Sequence, residues 1–148
     1  MQPRKLFLAL ALLLPVTLIS CASSNPVSTT TPAPPNSPQT QVAQINNAVA
    51  DGTLAGVRTV IALRDSGKLS QANTTTIENW LGFVATTDKA IGVILQKPEP
   101  WAQQKAEILT LLATVTAPTI ATTIDPGAQV VVSQILTLIA QIRTQVTP

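Results

Sequence analysis

Few side chains in this 148-residue chain can do chemistry, and their types restrict what that chemistry could be. Cys21 is the only cysteine and there is no histidine, so the commonest general base and the usual nitrogen and sulfur ligands of metals are missing. Paired carboxylates could still perform hydrolysis, but the acidic residues are scattered singly, as helix caps or solvated charges would be: Asp51, Asp65, Glu78, Asp88, Glu99, Glu107 and Asp125. No glycine-rich phosphate loop or nucleophile turn is present. The sequence predicts a protein that is not an enzyme and that holds no metal or cofactor.

The single cysteine follows an apolar run at the N-terminus. Arg4 and Lys5 precede the run, Pro15 loosens it, and small residues end it. This order is typical of an export signal. An uncleaved membrane helix is the weaker interpretation, because a spanning helix needs about 20 apolar residues, whereas residues 6–19 make up only 14. A core thiol or a disulfide partner is disfavoured by the position of Cys21 and by the lack of a second cysteine.

The four residues Leu18-Ile19-Ser20-Cys21 resemble the lipobox of bacterial lipoproteins. The resemblance implies that Leu18, Ile19 and Ser20 are recognised by the signal peptidase, and that Cys21 is lipidated and becomes the new N-terminus. Two or more acyl chains hold a protein stably on a bilayer, whereas one holds it only marginally. Because Ala22 and not aspartate follows, the resemblance implies the periplasmic face of the outer membrane. In a bacterium with one membrane, the same lipid implies the outer cell surface.

Charge excludes one class of partner. Of nine basic residues, Arg4 and Lys5 leave with the predicted signal, so the remaining seven balance the seven acidic ones. A neutral chain lacks the basic patch that nucleic acids require, and it has no basic cluster for an anionic lipid surface. We expect membrane attachment through the lipid on Cys21 and no nucleic-acid binding. A protein partner and the oligomeric state are left open.

Composition and hydrophobic period divide the chain into a signal peptide (1–20), a lipidated cysteine with a disordered linker rich in Pro, Ser and Thr (21–40), and a helical domain (41–148). The fold class predicted for the last part is all-α. We expect a small antiparallel bundle of about four amphipathic helices of roughly 17 to 27 residues each. Gly67 is predicted to end the first helix and Ser70 to cap the second. Asp125-Pro126 is predicted to begin the last helix.

Several positions leave alternatives open. Gly52 and Gly56 are expected to mark a turn or a loosened helix end, although small residues four apart also permit a tight helix crossing. Whether a turn at Gly52 divides residues 41–66 into two helices is left open. Asp88 interrupts the apolar stripe of the second helix and is expected at its rim. Trp80 is expected in the core, and Trp101 at a bundle end or on a partner.

Residues 108–142 carry only one charge, Asp125. We expect these helices to form the bundle interior, while the alternative places them against a membrane or a partner. The sequence therefore predicts an exported, membrane-anchored lipoprotein with a non-catalytic helical binding or scaffolding domain. The alternative function is a membrane-acting lipoprotein, of the phage-derived lysis or superinfection-exclusion type, whose apolar C-terminal helices contact lipid.

Overall fold

The computed structural model describes residues 34–120 and 124–147. These residues form four α-helices, which capping residues in the sequence delimit. The helices are α1 (Pro38–Asp65), α2 (Gln71–Leu95), α3 (Trp101–Ala113) and α4 (Pro126–Val146). These two ranges contain no strand, so the predicted all-α helical bundle is confirmed. Within them, none of the helices combines the length and the apolar character that crossing a membrane requires.

Local capping explains where the helices begin and end. The Ser70 side chain accepts a hydrogen bond at the start of α2, and Asp125 does so at the start of α4, with Pro126 in the first turn. Gly67 has φ of +71° directly after α1, the left-handed conformation that commonly follows a helix. These predicted boundaries are confirmed.

The first helix departs from the prediction at its start. It begins at Pro38, so residues 38–40, which the sequence assigned to the linker, are helical. The Ser37 hydroxyl accepts a hydrogen bond from the backbone N–H of Thr40 at 3.1 Å. Ser37-Pro38 is therefore the same cap-and-proline pair that begins α4, and its position inside a proline-rich stretch concealed it.

The first helix continues without a break past Gly52 and Gly56, so residues 41–65 belong to one helix and not two. The expectation that these glycines mark a turn or a loosened helix end is wrong. Neither glycine has a positive φ, and both face neighbouring helices. Glycine disfavours a helix by about 1 kcal/mol relative to alanine. Tertiary packing against α4 and α2 offsets that local preference here.

The third helix is shorter than predicted, with 13 residues. It ends where Thr114, Val115 and Thr116 bring three β-branched side chains together, ahead of Pro118. Residues 114–120 continue without regular structure, but Val115 is buried in the core. The position opposite α1 is therefore shared by a short helix and an irregular segment.

Contacts between helix ends show an antiparallel arrangement. α1 packs against α2 and α4, and α3 packs against the same two helices. The side-chain amide of Asn46, in the first half of α1, reaches the backbone oxygen of Asp88, in the second half of α2. Gly52 faces Leu138 of α4, whereas Gly56 faces Val131, so α1 and α4 also run in opposite directions.

One apolar core joins all four helices. Trp80 is 7% exposed, and its indole N–H donates to the backbone oxygen of Thr116 at 2.7 Å. Trp101 is half-buried against the core at the start of α3. The nearly uncharged segment 108–142 supplies much of the interior, through Ile108, Leu112, Ile124, Ala128, Val132, Ile135, Ile139 and Ile142.

Candidate ligand-binding groove

A groove of about 650 Å³ lies between α2 and α3 and is called here the α2–α3 groove. Its apolar lining comes from Ala90, Val93, Ile94 and Leu111. Val93 is 56% exposed, the highest value among the large apolar side chains that the described residues leave exposed, and it lies beside the other apolar residues of the lining. The volume lies within the range of about 300–1,000 Å³ that is typical of small-molecule sites.

Two threonines line this groove without offering it a free hydroxyl. The Thr86 hydroxyl donates to the backbone oxygen of Gly82 on its own helix at 2.9 Å. The Thr110 hydroxyl does the same with Ala106, also at 2.9 Å. Because each hydroxyl hydrogen already serves its own helix, the two threonines add little hydrogen-bonding capacity to the groove.

Lys97 stands at one end of the groove between two carboxylates. Its ammonium lies 2.6 Å from a carboxylate oxygen of Glu107 and 3.9 Å from one of Glu99. The hydrogen bond to Glu107 raises the pKa of Lys97 above its ordinary value, and the negative charges of Glu107 and Glu99 add to this. Lys89, also on the lining, makes no ion pair with any described residue. It is the one lining charge that is left unneutralised.

The fully buried Gln104 fixes the connection between α2 and α3. Its side-chain nitrogen donates to the backbone oxygens of Lys97 at 2.9 Å and Glu99 at 3.2 Å. Its side-chain oxygen accepts a hydrogen bond from the amide of Gln39 at 2.9 Å, near the start of α1. The proline-containing link thus has its free carbonyls satisfied, and the end of the groove is joined to the start of α1.

Arg143 of α4 closes the other end of α3. Its guanidinium donates to the backbone oxygens of Leu112 and Val115, the latter at 3.0 Å. The last carbonyls of a helix lack partners within it, and a cation there also interacts favourably with the helix dipole. The C-terminal end of α3 is therefore capped by a residue from another helix.

A second groove, of about 450 Å³, follows the interface between α1 and α4. Small side chains dominate its α1 wall, which consists of Gly52, Ala55, Gly56 and Thr59. A Cβ atom built on Gly56 would lie 2.8 Å from a methyl carbon of Val131. The tight helix crossing that the spacing of the glycines permits is what the structure contains, within the bundle.

A small cavity of about 10 Å³ lies inside the bundle, where mostly apolar residues of all four helices line it together with Asn46 and Asp88. One side-chain oxygen of Asn46 and one of Asp88 are buried without a hydrogen-bond partner among the described residues. Burial raises the pKa of Asp88 above its ordinary value, because the charged form loses hydration. Asp88 is half-buried, as expected for the rim of the α2 stripe.

The site residues predicted from the signal lie outside the described residues: Leu18, Ile19, Ser20 and Cys21, together with Ala22. Among the acidic residues, Asp65 and Glu78 contact Arg64, while Glu99 and Glu107 converge on Lys97. In the ranges 34–120 and 124–147, no three His, Cys, Asp or Glu side chains come together in a way that could hold a metal ion.

Sequence reasoning missed Gln104, Arg143 and the cluster around Lys97. Gln104 had a detectable signal, since it lies four residues before Ile108 and eight before Leu112, on the buried face of α3. Arg143 and the Lys97–Glu107 pair had none, because each joins residues that only the folded structure brings together. Comparison with known proteins gave no match: no family model fits the chain, and no curated protein or solved structure is significantly similar to it.

Proposed function

We propose that this chain is an exported lipoprotein, anchored in a bacterial envelope membrane through Cys21, whose helical bundle acts by binding and not by catalysis. The single observation that supports the binding role is the α2–α3 groove, where the half-exposed Val93 lies among other apolar side chains. Folding normally buries such side chains, and an exposed apolar groove is typical of a ligand or partner site.

The anchoring half of the proposal rests on the resemblance of Leu18-Ile19-Ser20-Cys21 to a lipobox. Expression of the full-length chain in a bacterial host with labelled palmitate tests it. We expect label on the protein, membrane fractionation, and loss of both in Cys21→Ser. Recovery of an unlabelled chain that retains residues 1–20 would refute the anchoring half of the proposal.

The non-catalytic half rests on the chemistry that surrounds the groove. Its one carboxylate, Glu107, forms an ion pair with Lys97, and Lys89 makes no ion pair with any described residue. No nucleophile with an adjacent base lines it. Ligand binding measured on the wild type and on Glu107→Gln tests this. Binding that survives in Glu107→Gln, with the ligand recovered unchanged, is the expected result.

The alternative, a membrane-acting protein whose C-terminal helices insert into lipid, finds less support. The apolar side chains it would need, such as Ile108, Leu112 and Ile139, are already buried in the core. Of the large apolar residues on α4, Val130 is half exposed. Lysis or loss of membrane potential on expression, abolished by a charge at Val130, would favour this alternative over the binding role.

A further inference from the structure

We propose that the α2–α3 groove binds one acyl chain of an anionic membrane lipid, with Lys89 at the headgroup. This deepens the proposed function by naming the class of ligand, and it rests on that function for the location of the protein at a bilayer. Three observations carry it: the chemistry of the lining, the free charge at its rim, and the position of the groove relative to the start of α1.

The lining matches a chain that has no hydrogen-bonding groups. Ala90, Val93, Ile94 and Leu111 present apolar surface, and the Thr86 hydroxyl donates within its own helix. A buried polar group without a partner costs free energy, so a polar ligand would lose its hydrogen bonds to water here without replacing them. An acyl chain has none to lose, and its burial is favourable in proportion to the apolar area covered.

The charge at the rim selects an anionic headgroup. Lys97 and Glu107 neutralise each other at 2.6 Å, which leaves Lys89 as the only lining charge without a partner among the described residues. A lysine can lay its apolar stem along the groove while its ammonium reaches the surface. The mature chain has no basic cluster to attract a membrane surface as a whole, so this is recognition of one headgroup by one cation.

The groove opens beside the point where the chain departs toward Cys21. Gln104 bonds to Lys97 at the end of the groove and to Gln39 in the first turn of α1. Twelve residues lie between Cys21 and Pro34, so the two ends of that stretch can be at most about 45 Å apart. A protein held through Cys21 therefore keeps the groove within reach of the bilayer that supplies the lipid, and Lys89 lies about 12 Å along α2 from the Lys97 end.

Photo-crosslinking on the anchored, full-length chain tests the proposal. The lipoprotein is reconstituted into vesicles of phosphatidylethanolamine and phosphatidylglycerol, with p-benzoylphenylalanine replacing Val93, which is 56% exposed on the groove. One control carries the probe at Leu54 of α1, which is 53% exposed and outside the groove lining. A second carries it at Gln44, exposed near the start of α1, to register mere proximity to the bilayer.

We expect a phosphatidylglycerol adduct at position 93, by mass spectrometry, and none at positions 54 and 44. Ala90→Trp should fill the groove and abolish the adduct. Lys89→Glu should lower it about fivefold, the factor expected from one partly exposed ion pair. Circular dichroism checks that both variants are folded. If Ala90→Trp does not fold, the result for Lys89→Glu tests the proposal.

Every other result overturns the inference. Equal adducts at positions 93 and 44 would show proximity alone, and a crosslinked polypeptide would show a protein partner. An intramolecular adduct with the lipid on Cys21 would show that the groove takes the protein's own anchor, and no adduct would show an empty groove. If palmitate labelling fails, the unanchored chain is mixed with the same vesicles and the same crosslink is measured. Failure of the anchoring proposal can then be distinguished from failure of lipid binding in the groove.

Discussion

The bundle contains two helix interfaces of opposite character. Where α1 crosses α4, Gly56 lets Val131 approach so closely that a Cβ atom would lie 2.8 Å from its methyl carbon. Where α2 lies beside α3, a groove of about 650 Å³ remains, and Val93 stays half exposed. The α1–α4 interface is thus closely packed, whereas the α2–α3 interface leaves an open groove.

The difference follows from side-chain size and from what ties each interface together. On α1, glycines four residues apart remove the side chains that would separate two helix backbones. The α2–α3 pair is held by polar contacts at the end where the link joins the two helices, from Gln104 and from the Lys97–Glu107 ion pair. Close packing therefore characterises the α1–α4 interface, whereas the α2–α3 pair combines polar contacts at one end with an open groove along its surface.

The largest effect should come from placing the same side chain in each interface. Gly56→Leu should lower the free energy of unfolding by about 3 kcal/mol, because the close-packed crossing has no room for it. Ala90→Leu, in the open groove, should change it by less than about 0.5 kcal/mol. Urea unfolding of the two variants measures both values. Equal destabilisation would mean that the interfaces do not differ as described.

Breaking the polar end of the open interface should rank second. Gln104→Leu leaves the backbone oxygens of Lys97 and Glu99 without their donor, and should cost about 2–3 kcal/mol. The neighbouring Gln103→Leu is the matched control, because Gln103 is exposed on the same helix. Urea midpoints that coincide for these two variants would show that apolar contacts hold the α2–α3 pair by themselves.

Removing the cap on α3 should have a smaller effect. Arg143→Met keeps the aliphatic stem but loses the donors to Leu112 and Val115, so we expect about 1–2 kcal/mol of destabilisation. Arg58→Met, exposed on α1, is its control. Hydrogen exchange of residues 111–115 should quicken in Arg143→Met only. Unchanged exchange there would contradict the capping role.

The smallest effect concerns Asp88 of α2, one of whose carboxylate oxygens is buried without a hydrogen-bond partner among the described residues. Burial raises its pKa in the folded state, whereas an aspartate in the unfolded chain titrates near about 3.9. Between these values the folded state binds more protons, so the free energy of unfolding falls as the pH rises through that interval. Asp88→Asn should therefore be more stable than the wild type at neutral pH.

The advantage of Asp88→Asn should disappear as the pH falls below the unfolded value, where the wild-type carboxyl is protonated in both states. Thermal unfolding across this range measures it. Asp51→Asn is the matched control, because Asp51 is exposed on α1 and its replacement makes the same change of charge without the burial. A pH-independent gain in Asp88→Asn would contradict the assignment.

Features that depend on neighbouring residues were predictable, and features that depend on distant ones were not. The caps Ser70 and Asp125 and the stop at Gly67 were confirmed because each acts within a few residues of its own position. The Ser37-Pro38 cap follows the same rule and was overlooked in a proline-rich stretch. The glycines of α1 were misread, because their use is visible only when Val131 is known to lie opposite.

The candidate site shows the same division more sharply. Val93 and Leu111 line the groove, and nothing in their positions in the sequence shows that a gap remains between their helices. Glu99 and Glu107 looked isolated, although both converge on Lys97 across the turn at Pro98 and Pro100. A groove forms where two helix surfaces do not pack against each other, so the sequence of neither helix alone predicts it.

By itself, the sequence determined that this protein is helical, where most of its helices begin and end, and that it lacks a histidine. These properties follow from composition and from short-range backbone geometry. Only the tertiary structure decided which helices touch, where Gln104 and Arg143 find their partners, and which interface stays open. Those outcomes depend on how side chains from separate helices pack together, and the sequence of one segment does not specify that packing.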